Sequence, residues 1–317
     1  MTMNHSERVL FDLKERLTEI TNVLHLNSSI VYIDYPLHRN IGDLLINLGT
    51  ERFFEMHRLR VKRRYNILEL PTTLPDIEPT DTLVFHGGGN LGDLYPEHLD
   101  AMESILKAFP LNRAVQLPQT VHFDDDSERE RRCTFLKGHR QLSIFVRDAR
   151  SLAALQDHDV HNVHLMPDMA HQLYGELFPP KPMRAIQNLY LFRSDVEGSK
   201  IPDLIAGHSG EAVDWDACIR RIDRLTLAFL RRLVKLMRHC GRSMDVHRVW
   251  YKYRDNMVKS GISFLSTPEC IYTNRLHCLL LAVLLGKEVH WFDNSYGKLS
   301  SYVNTWFSEL PTVSQVS

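Results

Sequence analysis

The first half of the chain alternates short apolar runs with amphipathic segments, separated by polar or glycine-rich turns. Residues 7–26 precede this alternation. They predict an opening helix, because their apolar residues recur near helical spacing. The apolar runs predict strands and the amphipathic segments predict helices, in the order SIVYIDY, LLINLGTERFFEMH, TLVF, residues 96–108, AVQLP, LSIFV, ARSLAALQ, NVHLM and MAHQLYGEL. Such alternation predicts a parallel sheet covered by helices on both faces.

The same order restarts after a proline-rich segment. Residues 178–187 contain three prolines and no periodicity, so they predict a linker. A strand in NLYLF, a basic helix over residues 216–239, a strand in ECIYT, a buried helix in CLLLAVLLG, a strand in EVHWF and a final helix in YGKLSSYVNTWFSEL follow. We predict an α/β protein with an N-terminal Rossmann-like domain over 1–178, a linker over 179–187, and a C-terminal Rossmann-like domain over 188–317. The last helix is expected to pack back on the first domain.

Composition and charge favour a globular protein and argue against a nucleic-acid-binding or membrane-spanning one. The 317 residues are 44% hydrophobic and 24% charged, enough for two domains that each have a core. The formal net charge of -1 argues against a nucleic-acid partner. The polar start lacks the apolar core of a signal peptide, and no apolar run reaches the length of a membrane span. Five widely spaced cysteines without a CxxC pair favour a reducing cytoplasm.

The glycine-rich turn after TLVF is a candidate site, because ligands of open α/β sheets bind beyond the carboxyl ends of the strands. This turn contains His86, Gly88, Gly89 and Asn90. Consecutive glycines let backbone N–H groups approach an anion, aided by the N-terminus of the following helix. The alternative is a tight turn that packs strand on helix. The turn matches neither the dinucleotide fingerprint nor the P-loop.

Other turns of the first half carry polar side chains. Asp43 and Asp168 each follow a predicted strand, where a carboxylate is equally suited to cap a helix. Asp93 ends the glycine-rich turn. Gln119 lies at the end of a strand. Arg147 precedes an aspartate, so a local ion pair is the alternative to a role in a site.

Arg193 ends the first strand of the second half, where a guanidinium can bind a carboxylate or phosphate through two hydrogen bonds. A salt bridge to Asp195 or Glu197 is the alternative. No metal-binding motif is present, so no metal is expected. The Arg and Lys side chains of residues 220–238 indicate a solvated helix face or, alternatively, contact with anionic lipid headgroups or with a lipid pyrophosphate carrier.

Arg275, Leu276 and His277 follow the strand ECIYT. If the segment is still extended, Arg275 and His277 share a face and Leu276 points into the core. A cation beside an imidazole suits an anionic substrate that gains or loses a proton. The alternative is a capping histidine and a surface arginine.

Together the turns resemble those of the polysaccharide pyruvyl transferase family. The segments that carry the resemblance span residues 30–308: NIGDLLINLGTERFF, FHGGGNLGDLYPEH, LPQT, FVRDARSL, MPDMA, LFRSDVE, TNRLHCLLLAVLLGK and FDNSYGKLSSYVNTW. The GGGNxGD and TNRLH elements are the most specific. The resemblance implies two Rossmann-like domains in a GT-B-like arrangement with parallel sheets.

The resemblance also implies the reaction. The pyruvyl group of phosphoenolpyruvate moves onto two hydroxyls of one sugar, which gives a cyclic ketal and releases phosphate. No cofactor is implied. The acceptor is implied to be the sugar of an exopolysaccharide precursor, lipid-linked and reached at the cytoplasmic face of the inner membrane.

The resemblance assigns the donor to Arg193, Arg275, Leu276 and His277. Asp43, Asp93, Asp168 and the glycine-rich turn are expected to line the acceptor side. We expect His277 to transfer the proton to the donor and a carboxylate to take the hydroxyl proton. Catalysis is thus assigned to His277, Asp43 and Asp168, and substrate binding to Arg193, Arg275, Leu276, His86, Gly88, Gly89, Asn90, Asp93, Gln119 and Arg147.

Two other functions fit the same architecture. A nucleotide-sugar glycosyltransferase requires a nucleotide pocket in the second domain, often with a carboxylate on the ribose, and no suitable carboxylate presents itself there. A non-catalytic sugar-binding or scaffold subunit would tolerate changes at Arg193, Arg275 and His277.

Overall fold

The computed structural model describes residues 3–24, 28–70, 77–178, 186–193, 212–242 and 244–316. The chain forms an α/β fold with two parallel sheets. The strands of the first sheet are β1 (Ile30–Ile33), β2 (Val61–Tyr65), β3 (Thr82–Phe85), β4 (Gly88–Gly92), β5 (Ala114–His122), β6 (Leu142–Val146) and β7 (Val163–Leu165). Their order is β2-β1-β3-β5-β6-β7, with β4 also paired to β5, and every pairing is parallel.

The second sheet is smaller and is also parallel. Its strands are β8 (Ile186–Leu191), β9 (Pro268–Thr273), β10 (Glu288–Trp291) and β11 (Val313–Gln315). Their order is β11-β10-β9-β8. The sequence therefore predicted the fold class correctly at this level, since strand and helix periods differ enough to be read directly.

The helices of the described residues cover the two sheets. They are α1 (His5–Arg16), α2 (Ile41–Met56), α3 (Pro96–Ala108), α4 (Asp126–Gly138), α5 (Ala149–Gln156), α6 (Arg221–His239), α7 (His247–Ser266), α8 (Leu276–Leu284) and α9 (Lys298–Trp306). None of these is both long and apolar enough to cross a membrane.

Some elements differ from the predictions. The opening helix ends at Arg16 and continues as a 3-10 segment over Leu17–Val23. The predicted helix in MAHQLYGEL is a 3-10 segment, Met169–Leu173. Strand β2 was not predicted. Four of its five residues are only half-buried, so its basic sequence VKRRY shows no apolar alternation. Helix α7 was also not predicted.

The hydrophobic core is continuous between the sheets. One cluster contains Val84 and Val115 from the first sheet and Ile271 and Val289 from the second. Helix α2 packs against both α7 and α8. This cluster is shared because α2 buries apolar side chains against helices of the second half, whereas another cluster, which includes Leu83 and Ile144, lies wholly within the first half.

The boundary between the halves is untested. Residues 179–185 of the predicted linker lie outside the described residues, and the domain limits and GT-B-like arrangement remain predictions. The last helix does contact the first half: Trp306 Nε1 in α9 donates to the backbone oxygen of Arg147 at 2.7 Å. The Tyr302 hydroxyl accepts from the backbone N–H of Asp168 at 3.1 Å.

Candidate active site

A cavity of about 240 Å³ lies at the carboxyl ends of strands from both sheets. It is lined by His38, Asn40, Asp43, Gly89, Asn90, Tyr95, His98, Arg193, His277 and Lys298. Five predicted site residues therefore meet here, namely Asp43, Gly89, Asn90, Arg193 and His277. A larger depression of about 580 Å³ at Ser29, Arg60 and Asp81 contains none of the predicted residues.

His277 rests on a buried ion pair. Its Nε2 lies 3.4 Å from Asp168 Oδ2 and 3.4 Å from Arg147 Nη1. Arg147 Nη1 in turn donates to Asp168 Oδ2 at 2.7 Å, and both side chains are fully buried. Asp168 does not line the cavity. Its contact with His277 can therefore position the imidazole ring but does not reach a ligand in the cavity.

The protonation states follow from burial and charge. Burial lowers the pKa of His277 below its usual range, although the Asp168 carboxylate acts in the opposite direction. Burial alone would raise the pKa of Asp168, but the hydrogen bond and charge of His277 and the charge of Arg147 hold it well below its usual range. Burial is the largest effect on the pKa of His277, so the cavity favours the neutral imidazole over its charged form.

Gly42 makes room for the His277 ring. It lies in the first turn of α2, where Asn40 is the N-cap and its Oδ1 accepts from the Gly42 N–H at 3.0 Å. A Cβ added to Gly42 would lie 2.4 Å from His277 Nδ1 and 2.7 Å from its Cγ. The close approach of α2 and α8 therefore requires glycine at this position.

We expect Gly42→Ala to lose activity without unfolding. Alanine favours a helix over glycine by about 1 kcal/mol, but its methyl group must push His277 from its place. A displacement near 1 Å costs about 100-fold in rate. Thermal melting and steady-state kinetics would measure both effects, with Gly138→Ala as control because nothing lies within 4 Å of its Cβ position. Wild-type activity of Gly42→Ala would show that the ring position is not critical.

Two cations approach the backbone of Gly89. A Cβ added to Gly89 would lie 2.7 Å from Lys298 Nζ and 3.3 Å from Arg147 Nη2. Arg147 Nε donates to Thr120 Oγ1 at 2.8 Å, whereas its buried Nη2 has no hydrogen-bond partner among the described residues. A guanidinium N–H with unused donor capacity beside an ammonium group suits an anionic ligand.

Asp43 is the carboxylate that lines the cavity. Burial would raise its pKa, but the charges of nearby His38, His277, His86 and Lys298 lower it, so the group is ionised. His38 Nε2 lies 3.7 Å from Asp43 Oδ2. The capping alternative for Asp43 is wrong, since Asn40 caps α2. Asp43 is therefore able to accept a proton inside the cavity.

His98 adds a positive charge to the cavity. Its Nδ1 contacts Asp34 Oδ2. Burial alone would lower the pKa of His98, but the charge and hydrogen bond of Asp34 raise it to about 9. His98 is therefore an imidazolium ion at neutral pH. Sequence analysis missed it because the carboxylate that charges it lies 64 residues away.

Lys298 was also missed. It is the first residue of α9 and follows β10, so a search of every turn after a strand would have found it.

The glycine-rich turn is built differently from the prediction. Its residues form strand β4 instead of running into a helix N-terminus, since α3 begins only at Pro96. Gly88 has φ of +131°, a conformation that favours glycine. Gln119 Nε2 donates to the His86 backbone oxygen at 2.9 Å, and its Oε1 accepts from the Asn90 N–H at 2.9 Å. Gln119 therefore supports this loop without lining the cavity.

His86 is also part of the support. Its Nδ1 lies 2.6 Å from the hydroxyl of Tyr32, and burial lowers the pKa of His86 to about 4. Asp93 lies outside the cavity as well: its Oδ2 accepts from the N–H groups of Asp124 and Asp125 at 2.7 and 2.9 Å. Neither side chain is brought to the cavity.

Arg275 and His277 do not share a face. Helix α8 begins at Leu276, so the strand ends before His277 and the expectation of an extended segment is wrong. Arg275 pairs with Asp214 instead of lining the cavity. Leu276 is 3% exposed and belongs to the shared core, which confirms the prediction that it points into the core. Asp195 and Glu197, the alternative partners of Arg193, lie outside the described residues.

Three potential metal ligands lie elsewhere, on β9 and β10. Ligand atoms of Cys270, Glu288 and His290 are within 4.8 Å of one another. Cys270 lies 18 residues before Glu288 in the sequence, so no motif unites it with Glu288 and His290. His290 Nδ1 lies 2.6 Å from Ser314 Oγ, and Glu288 is exposed to solvent. None of the three lines the cavity around His277.

Comparison with known proteins identifies the family. The family model described as Polysaccharide pyruvyl transferase matches residues 40–296. EpsO from Bacillus subtilis (strain 168), assigned as a pyruvyl transferase, is 36% identical over 97% of this chain and 94% of its own length. Pyruvyl transferase 1 from Schizosaccharomyces pombe is 28% identical over 87% of this chain and 69% of its own.

A solved structure supports the fold. The crystal structure of the functionally uncharacterised protein KP1_0663 from Klebsiella pneumoniae matches with a TM-score of 0.65 at 22% identity, covering 96% of this chain and 99% of that one. The family match does not favour the glycosyltransferase alternative. The chain belongs to the polysaccharide pyruvyl transferase family, and it is an enzyme with a role in pyruvyl transfer.

Proposed function

We propose that this enzyme transfers the pyruvyl group of phosphoenolpyruvate to two hydroxyls of one sugar, forming a cyclic ketal and releasing phosphate. The observation that carries the proposal is the unused donor of buried Arg147 Nη2, which points with Lys298 at the bare backbone of Gly89. A small donor with a carboxylate and a phosphate needs such concentrated positive charge. The cavity of about 240 Å³ suits a three-carbon donor better than a sugar nucleotide.

The cations divide into two groups around the cavity. Lys298 lines the cavity close to Gly89 and to the buried Arg147, which is not itself among the lining residues. Arg193 and His98 line the cavity from the second sheet and from α3. We assign one group to the phosphate and the other to the carboxylate of the donor. Arg275, paired with Asp214, supports the segment that carries His277 in this proposal.

The chemistry proceeds by proton transfer and substitution. His277 takes up a proton as the anionic donor binds, because nearby negative charge favours the imidazolium form. It delivers that proton to the methylene carbon of the donor. One sugar hydroxyl adds to the neighbouring carbon and gives its proton to Asp43. The carbon–oxygen bond to phosphate then breaks, and phosphate leaves with its electron pair and takes the proton held by Asp43. The second hydroxyl attacks the same carbon to close the ketal and gives its proton to His277, which restores both side chains.

No electrons are gained or lost in this sequence, so we propose that no redox cofactor takes part. The acceptor proposed is the sugar of an exopolysaccharide precursor held on a lipid, at the cytoplasmic face of the inner membrane. Two Rossmann-like domains in a GT-B-like arrangement are proposed as the frame for the cavity.

Phosphate release tests the proposal. Purified enzyme, phosphoenolpyruvate and sugar acceptors are incubated, inorganic phosphate is measured, and the product is examined by mass spectrometry for an added pyruvate ketal. Thermal-shift measurements compare phosphoenolpyruvate with sugar nucleotides. Stabilisation by sugar nucleotides alone, with no phosphate release from phosphoenolpyruvate, would contradict the proposal.

The charge on His98 predicts a pH dependence of donor binding. His98 carries a proton below about pH 9 and loses it above. We therefore expect KM for phosphoenolpyruvate to rise as the pH increases through about 9, since the cavity loses a positive charge. Initial rates across this range measure the effect.

Two variants check the origin of that rise. His98→Gln should have a higher KM at neutral pH and no further rise caused by this group. Asp34→Asn should move the rise to lower pH, because the carboxylate that raises the pKa of His98 is gone. An unchanged pH profile in both variants would show that another group controls donor binding.

A further inference from the structure

Helix α6 (Arg221–His239) exposes an apolar stripe on its outer face. The residues of this stripe are between 54% and 63% exposed: Ile222, Leu225, Phe229 and Leu236. Spacings of three, four and seven place them on one side of the helix. The side chains that anchor the helix to the protein lie on another face: Leu227, Leu230 and Val234. Contiguous exposed apolar side chains flanked by polar ones are typical of interaction sites, whereas scattered ones are not.

Basic side chains flank the stripe. Residues 220–242 contain eight of them: Arg220, Arg221, Arg224, Arg231, Arg232, Lys235, Arg238 and Arg242. The same segment has one acidic residue, Asp223, which is buried and bound to Arg220 at 2.8 Å. Within the described part of the chain, the side-chain contacts of Arg224, Arg231 and Arg238 are to backbone oxygens, which leaves their charges without a carboxylate.

A basic groove beside α6 borders the active-site cavity. This groove has a volume of about 450 Å³. Its lining residues are His38, Arg39, Arg224, Leu227, Ala228, Arg231, Arg232 and Lys235. His38 also lines the cavity around His277. A ligand held along α6 would therefore lie beside the candidate active site.

We propose that the outer face of α6 docks the enzyme on an anionic lipid bilayer. The apolar stripe enters the boundary between headgroups and acyl chains, and the basic side chains contact the headgroup phosphates. A second copy of the chain fits less well, because pairing two α6 stripes would bring their basic residues together without acidic partners. The inference rests on the proposed function for its purpose, which is to bring the cavity to a membrane-held acceptor.

Vesicle binding by the full chain tests the docking surface directly. Phosphatidylcholine vesicles with and without phosphatidylglycerol are sedimented with the wild type and two double variants. Arg232→Ser/Lys235→Ser should weaken binding to anionic vesicles by about 30-fold, since each basic residue near the surface contributes a factor of about five. Leu225→Ser/Phe229→Ser should weaken it by at least about tenfold, because less apolar surface is buried.

Matched controls lie away from α6. Leu111→Ser removes another exposed apolar side chain, which is 84% exposed, and Arg129→Ser/Lys137→Ser removes two basic residues from α4. Both controls should bind as the wild type does. Absent or equal binding to neutral and anionic vesicles would overturn the proposal. So would a dimer, seen by analytical ultracentrifugation, that Leu225→Ser/Phe229→Ser dissociates.

Activity on a water-soluble sugar acceptor separates this inference from the proposed function. The α6 variants should release phosphate from phosphoenolpyruvate at the wild-type rate in the absence of vesicles. If the wild type is active but binds no anionic vesicles, only the docking surface is refuted. If it binds anionic vesicles but releases no phosphate, only the proposed reaction is refuted.

Discussion

His277→Gln is expected to lower kcat for phosphate release by about 10²–10⁴-fold, the usual contribution of a general acid or base. Glutamine fills most of the space of the ring but cannot change its protonation state near neutral pH. KM for phosphoenolpyruvate should change little, because the cations around Gly89 remain in place. Steady-state kinetics with a phosphate assay separate the two parameters.

The matched control for this variant is His158→Gln. His158 lies outside the cavity and contacts Glu130 at 2.8 Å on the surface. It should have the wild-type kcat. A wild-type rate for His277→Gln would assign the proton transfer to another group, and a large rise in KM with unchanged kcat would make His277 a binding residue only.

Arg147→Met is expected to lower the free energy of unfolding by about 3–5 kcal/mol, the range measured when one partner of a buried ion pair is removed. Asp168 is fully buried, and without the guanidinium its carboxylate keeps only the weaker contacts with His277 and the Ala170 N–H. Urea denaturation of the wild type and the variant measures the loss. Activity should fall as well, because the donor beside Gly89 is gone.

A second substitution tests the cause. Arg147→Met/Asp168→Asn removes the buried charge, and asparagine can still cap the segment that begins at Met169. The double variant should recover much of the lost stability while remaining inactive. The surface control Arg129→Met, which loses an exposed pair with Asp126, should cost less than about 1 kcal/mol. If the double variant is as unstable as Arg147→Met, the uncompensated carboxylate is not the cause.

The ion pair links the fold to the chemistry. Arg147 follows β6 and Asp168 follows β7, so adjacent parallel strands bring them together at one edge of the first sheet. His277 comes from the second half and completes the group across the shared core. The His277 ring therefore reaches its position beside Asp168 only when both halves are packed on α2.

Much of the fold was readable from local pattern. Strands β1, β3 and β6 and helix α5 stand where apolar periodicity placed them, because each buries a regular set of side chains. Strands β2 and β4 were missed: a basic, half-buried strand and a glycine-rich one both lack that regularity. The cluster that spans both halves depends on contacts of α2, which no periodicity reports.

The candidate site was predicted only in part, for a physical reason. Asp43 and Asp93 have the same residue type after a strand, and spacing cannot separate a carboxylate that faces a cavity from one that binds backbone N–H groups. The structure places Asp43 in the cavity and Asp93 on the turn at Asp124. Arg275 likewise pairs with Asp214 instead of facing the cavity, and α8 begins at the next residue.

Periodicity and short motifs in the sequence were enough to predict the parallel α/β class, the turns that carry the candidate site, and the family. Which side chains converge depended on the three-dimensional packing. Lys298 lies close to Gly89, and His98 contacts Asp34. The two residues of each pair are distant in sequence and adjacent in space. Charge and burial act over a few ångströms in three dimensions, so a linear pattern does not reveal them.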